Sequence, residues 1–263
     1  MRREPAARII GKRSWGDFHL LRLESPDLAA GASPGRFLMI RTSDGFDPLL
    51  RRPLSLHDAG DVWIELFFRV AGRGTALLAE KKEGETLDCL GPLGRGFRMD
   101  GFGTGRTAWL IGGGRGVAPL YYLARTLISR GAGVRVFYGG KTSAEIPLRE
   151  KFESAGIPLD CATDDGSFGF AGFVTALLER ALEGGRPDGL FACGPDAMMK
   201  RTGRMALGLG LPAQLSLEAV MGCGFGACWG CVHRIKKDDG GQWRKICEDG
   251  PVFGADEILW EEA

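Results

Sequence analysis

The chain has 263 residues, 44% of them apolar and 25% charged, with a formal net charge of +1. This is the composition of an ordinary globular protein, long enough for one large domain or for two smaller ones and an appendage. Near-neutrality gives no electrostatic footprint for nucleic acid or an anionic membrane as partner, and no apolar run approaches the length needed to span a bilayer.

The first segment, MRREPAARIIGKRSW, carries charge but no apolar core of a signal peptide. Together with an odd count of seven cysteines, it sets the expectation of a reducing cytoplasm. Residues 1–100 read as β structure: runs at His19–Glu24, Phe37–Arg41 and Val62–Val70 alternate with turn signals such as Ser33-Pro34-Gly35 and Asp44-Gly45. Short strands without helical periodicity predict a small antiparallel barrel or sandwich. Within it, Arg52-Pro53-Leu54-Ser55 places a guanidinium and a hydroxyl on an apolar segment, and Gly72-Arg73-Gly74-Thr75 precedes a short helix at Ala76–Glu80. A forked donor and free N–H groups suit a diphosphate, so Arg52, Pro53, Leu54, Ser55, Gly72, Gly74 and Thr75 are candidate cofactor-binding residues. The plainer reading is a surface arginine and an ordinary strand–helix turn.

Past a Gly101–Gly105 linker, residues 101–215 change character. Thr107–Ile111 predicts a buried strand that runs into Gly112-Gly113-Gly114-Arg115-Gly116, followed by Pro119 in the first turn of a helix. Leu120, Leu123, Ala124, Leu127 and Ile128 mark that helix's apolar face. Val134–Tyr138 and Leu190–Cys193 are further strands, and Val174–Leu182 repeats the helical spacing. Strands alternating with helices predict a doubly wound parallel α/β sheet. In such a sheet ligands sit at the carboxyl ends of the strands, and a pyrophosphate suits a glycine-rich turn at a helix N-terminus. Gly112, Gly113, Gly114 and Gly116 are the candidates there, joined by Gly194 and Pro195 after the Leu190 strand. Cys193 is the candidate catalytic side chain, although a buried structural thiol reads equally well. The three histidines form no cluster, and no hydrolytic constellation is visible, which fits redox work done by cofactors.

Residues 216–263 form a cysteine-bearing tail. Cys223, Cys228, Cys231 and Cys247 are spaced C-x4-C-x2-C, with the fourth after a further fifteen intervening residues. This is the plant-type ligand pattern for a 2Fe–2S cluster, and glycines at 222, 224, 226 and 230 let backbone N–H groups approach the sulfurs. A structural zinc site usually has two short cysteine pairs, and a disulfide framework belongs to small secreted domains. Those remain the alternatives on spacing alone.

Taken together these blocks resemble the ferredoxin–NADP reductase superfamily: RPLS and GRGT its flavin motifs, GGGRGVAPL and CGPDAMM its nicotinamide-nucleotide motifs. The tail, CGFGACWGCV with CEDGPVF, is similar to that of the electron-transfer subunits of class 1B dihydroorotate dehydrogenases. The resemblance implies FAD in the β-barrel, NAD in the α/β domain and a 2Fe–2S cluster in the tail module. It implies a partner, an FMN-containing catalytic subunit, in a heterotetramer of two of each chain. It also implies the role: electrons from dihydroorotate pass from FMN through the cluster and FAD to NAD+ in pyrimidine biosynthesis. NADP-binding relatives carry a Ser-Arg pair where this chain has Thr163-Asp164-Asp165, which suits NAD(H). A related small subunit of an NADH-dependent ferredoxin:NADP oxidoreductase or a sulfide dehydrogenase is the alternative, though those often have Asp where Cys223 stands. Two residues depart from the family pattern: Arg115 in the glycine-rich turn, and Arg36 in place of a common Gln.

Overall fold

A computed structural model describes residues 2–236 and 240–260. The outer ends of the 1–100 and 216–263 segments and the stretch 237–239 lie outside these residues. The first unit is a closed six-stranded antiparallel barrel, ordered β1-β2-β5-β4-β3-β6. Its strands are β1 (Arg2–Trp15), β2 (Phe18–Glu24), β3 (Phe37–Arg41), β4 (Arg52–Ala59), β5 (Trp63–Arg69) and β6 (Thr86–Leu93). Inward residues such as Leu21, Leu23, Leu38, Ile40, Leu56, Ile64 and Leu66 are fully buried and fill the lumen. Two short helices close it: α1 (Pro26–Ala30), whose first turn is capped by Ser25 accepting from the Leu28 N–H, and α2 (Arg73–Glu80). The charged N-terminal segment, part of the expected β region but holding none of its named runs, is the longest strand among the described residues. Most of its polar residues are exposed, Glu4 and Lys12 are half-buried, and Ala7 and Ile9 face the core.

The second unit is a seven-stranded sheet ordered β10-β9-β8-β7-β11-β12-β15. Along the chain run β7 (Thr107–Gly113), α3 (Ala118–Ser129), β8 (Gly133–Gly140), α4 (Arg149–Ser154), β9 (Leu159–Thr163) and β10 (Phe170–Ala171). Then follow α5 (Val174–Gly184), β11 (Gly189–Cys193), α6 (Asp196–Gly208) and β12 (Ala213–Ser216). The strands are parallel up to β12. Helices α3 and α4 pack in one apolar layer, α5 and α6 in the other, as double winding requires. Of the apolar face expected on α3, Leu120, Leu123, Ala124 and Leu127 are buried. Ile128 is instead exposed, and Tyr121 is buried, because this helix is covered on two sides, by the sheet and by the barrel.

The tail adds a hairpin of β13 (Val232–Ile235) and β14 (Gln242–Lys245), a turn of helix α7 (Ile246–Asp249) and β15 (Val252–Gly254). Strand β15 pairs antiparallel with β12 as the edge of the nucleotide-domain sheet. The tail is thereby stitched into the second unit rather than hung from it. Among the described residues no helix is long and apolar enough to cross a membrane.

Candidate functional site

The residues singled out above fall in three clusters. In the barrel, Arg52 opens β4 opposite Ile40 of β3. Its guanidinium lies over the first turn of α2, where a Cβ on Gly74 would fall 2.3 Å from Nε. The Thr75 hydroxyl accepts from the N–H groups of Ala71 at 2.8 Å and Gly72 at 3.2 Å and donates to the Gly72 carbonyl, so it holds the turn from inside. A forked cation and the unsatisfied N–H groups of a helix start thus share one place, the donor set a diphosphate needs. Leu54 is buried in the lumen, while Pro53 and Ser55 are half-buried on β4. Just past the end of β3, the Thr42 and Ser43 hydroxyls are buried with no hydrogen-bond partner among the described residues. Sequence reasoning missed them, because an unpartnered hydroxyl has no signature in a one-dimensional pattern.

At the carboxyl ends of the parallel strands lies a crevice of about 550 Å³. It sits where strand order reverses about β7, with β8 on one side and β11 on the other. Gly112 and Gly113 finish β7, and residues Gly114–Val117 form a 3-10 turn into α3. The two motifs interlock. A Cβ on Gly116 would lie 2.4 Å from the Cys193 carbonyl oxygen, and one on Gly194 would meet Met198 at 2.7 Å. Gly113, Gly114, Gly194 and Pro195 line the crevice, whereas Cys193 stands behind them. Its side chain is 3% exposed, and burial pushes the thiol far above its ordinary range, so it is neutral. Of the two carboxylates after β9, Asp164 lines the crevice. Asp165 turns back on Ser167, accepting from its hydroxyl at 2.6 Å and its N–H at 3.0 Å. Arg115 lines the crevice too, paired with Glu218 at 2.7 Å.

The four tail cysteines form two pairs. Cys228 N–H points at the Cys223 sulfur at 3.4 Å, and Cys247 N–H at the Cys231 sulfur at 3.4 Å. Gly226 N–H donates to Cys247 Sγ at 3.1 Å. Against the cost of burial, the N–H groups of Phe225, Cys228 and Ala227 bring the Cys223 thiol down to about 6, while burial and the Cys231 sulfur push Cys247 up to about 12. No three His, Cys, Asp or Glu side chains among the described residues converge tightly enough for a single metal ion. Two sulfur pairs with N–H donors aimed at them suit a two-iron cluster, in which each iron takes two thiolates. The remaining cysteines, Cys89, Cys161 and Cys193, are buried elsewhere.

Residues 218–259 match the model of the iron–sulfur cluster binding domain of dihydroorotate dehydrogenase B. Residues 110–204 match that of the oxidoreductase NAD-binding domain. The "Dihydroorotate dehydrogenase B (NAD(+)), electron transfer subunit" of Geobacillus thermodenitrificans is 42% identical over 256 residues, covering 96% of this chain and 95% of the relative. The protein of the same name from Bacillus caldolyticus is 45% identical over 231 residues, 86% of each chain. The chain belongs to the family of dihydroorotate dehydrogenase B electron transfer subunits. Among solved structures, that of an NADH-dependent reduced ferredoxin-NADP oxidoreductase, studied for flavin-based electron bifurcation, has a TM-score of 0.86 at 30% identity and covers 98% of this chain. A ferredoxin NADP+ reductase from Neisseria gonorrhoeae with bound FAD and NADP shares the fold at a TM-score of 0.66 and 18% identity. Membership of this electron transfer family accounts for FAD, a 2Fe–2S cluster and NAD as the cofactors of one chain.

Proposed function

We propose that this chain receives electrons one at a time from an FMN-containing dihydroorotate-oxidising subunit, with two copies of each in the assembly, and passes them to NAD+. The observation that carries the reading is the placement of the cluster loop directly on the flavin barrel. Gly224, next to Cys223, packs its Cα against Met39 of β3. When bound, the cluster supplies single-electron transfer and the flavin exchanges one or two electrons, so their union links a one-electron donor to a hydride acceptor.

The chain's own residues hold and orient. Cys223, Cys228, Cys231 and Cys247 hold the cluster. Arg52 and the first turn of α2 would hold the FAD pyrophosphate, with Gly72, Gly74 and Thr75 shaping that turn and Pro53, Leu54 and Ser55 continuing the strand that carries Arg52. Gly112, Gly113, Gly114 and Gly116 let the NAD pyrophosphate approach the start of α3, and Gly194 and Pro195 wall the nicotinamide side. Cys193, neutral and shielded, acts as a positioning residue under that wall. Asp164 accepts hydrogen bonds from ribose hydroxyls and repels a 2′-phosphate, which sets the preference for NAD(H) over NADP(H). A neighbouring reading, a subunit of an NADH-dependent ferredoxin:NADP oxidoreductase, is favoured by the solved structure at TM-score 0.86 and 30% identity. The higher identity of the dihydroorotate dehydrogenase relatives supports the first reading.

The test uses the purified chain carrying its cofactors. It should reduce an artificial dye with NADH, more efficiently than with NADPH, and show no dihydroorotate-dependent NAD+ reduction until the FMN subunit is added. Conversion of dihydroorotate to orotate by the single chain would overturn the division of labour.

A further inference from the structure

Arg115 carries the one side chain of the Gly112–Gly116 turn, and that side chain is exposed. Its neighbours are locked: Gly113 is closed in by Met198 Sδ at 2.8 Å from a would-be Cβ, and Gly116 by the Cys193 carbonyl. Gly114, at φ +53°, takes a conformation that favours glycine, with open space beside it. Arg115 therefore projects from a rigid turn into the crevice it lines. A cation there is anomalous in isolation, because the start of α3 already carries positive dipole charge that favours an anion. The protein supplies that anion. Glu218 Oε2 lies 2.7 Å from Arg115 Nη2, and Glu218 also lines the crevice. Both side chains stay about half exposed, at 54% and 42%, so the pair is weak and exchangeable.

We propose that Arg115 is a pyrophosphate-binding residue and that Glu218, its ion-pair partner at 2.7 Å, competes for it as an internal anion. The inference rests on the reading that the crevice takes a dinucleotide. A carboxylate and a pyrophosphate present similar oxygen acceptors to a guanidinium fork. An entering dinucleotide takes the fork, adds the N–H groups of the turn and displaces Glu218 by like-charge repulsion. Glu218 lies on the segment between β12 and Cys223, so the displacement is felt on the strand of chain that leads to the cluster loop.

The experiment measures inhibition of NADH-dependent dye reduction by ADP-ribose, which carries the pyrophosphate, and by adenosine, which does not. It uses the cofactor-loaded chain and its Arg115→Leu, Arg115→Lys, Glu218→Gln and double Arg115→Leu/Glu218→Gln variants, with flavin and cluster absorbance confirming assembly. Loss of a charge-assisted hydrogen bond predicts ADP-ribose binding about 10- to 100-fold weaker in Arg115→Leu. Arg115→Lys, which keeps the charge but not the fork, should fall between it and the unmodified chain. Removing an exposed ion-pair partner predicts binding about 2- to 5-fold tighter in Glu218→Gln. The double variant should match Arg115→Leu, since a competitor matters only while its target is present, and adenosine should bind all forms alike. Unchanged ADP-ribose binding in Arg115→Leu, or weaker binding in Glu218→Gln, overturns the inference while leaving the crevice assignment intact. Failure of the unmodified chain to bind ADP-ribose at all overturns both.

Discussion

At Gly224 the cluster loop turns with φ +81°, and a Cβ there would lie 2.4 Å from Met39 Cγ. Any other residue adds about 1–3 kcal/mol of backbone strain and a collision with the barrel. Gly224→Ala should therefore lose cluster iron and acid-labile sulfide while retaining flavin, as measured on anaerobically purified protein; full cluster content would refute the packing argument. Arg52 works in the opposite sense. Removing its guanidinium from the start of α2 takes away a charge-assisted contact. Arg52→Ala should weaken FAD binding about 10- to 100-fold, with cluster iron unchanged, as read from flavin content after dialysis. Arg36 shows how a departure from the family pattern resolves. Its guanidinium donates to the carbonyls of Gly31 at 2.8 Å, Pro92 at 2.8 Å and Gly94 at 3.2 Å. It braces the loops at the barrel end and takes no part in the crevice.

Between elements, the decisive contact is β4 against α3, and at its centre is one of the three histidines that form no cluster in the sequence. His57 is fully buried; its Nδ1–H donates to the Ala118 carbonyl at 2.8 Å, and Nε2 has no partner among the described residues. Tyr121 of α3 stacks on the ring at 5.0 Å. Around it, Asp58 pairs with Arg125 of α3, and Glu65 of β5 with Lys151 of α4 and with Arg22. Burial first, then the Lys151 charge, hold the imidazole down at about 3, against the opposing pull of Glu65 and the Ala118 bond. In the unfolded chain it titrates near 6.5. Between these values the unfolded state binds the extra proton. Stability from this group is therefore complete above about pH 6.5 and falls by about 1.4 kcal/mol per pH unit as pH drops toward 3. His57→Gln should cost some stability at pH 7 through imperfect replacement of the Ala118 bond, yet flatten the acid limb. Urea unfolding from pH 4 to 8 checks this, and an unchanged acid slope would show that other groups set it.

On the scale of the molecule, barrel, sheet and tail place the cluster loop at the surface beside the flavin unit. Trp229 is 58% exposed between two cluster ligands, held at φ +56° with Lys245 Nζ 4.8 Å from its ring. Phe225 and Val220 are exposed nearby in sequence. Exposed aromatic anchors of this kind are what partner subunits bury. Trp229→Ala should weaken association with the catalytic partner subunit by about 30-fold or more, a typical anchor loss, measured by titration of the two purified chains. Retained affinity with cluster iron intact would assign the ring to shielding alone.

How much of this was legible beforehand depended on whether the physics was local. Cysteine spacing, glycine-rich turns and the 3.6-residue period of α3 and α5 encode a cluster motif and helices within a few residues, so the iron–sulfur cofactor, the fold class and the family could be read from the chain itself. What acts across long separations could not. The barrel's closure through β1, the return of β15 to the sheet edge, the burial of His57 by α3 and the Arg115–Glu218 pair all join segments tens of residues apart or more. Register and burial at such distances are decided by which surfaces meet when the units pack, and no periodicity along one strand of chain records that meeting.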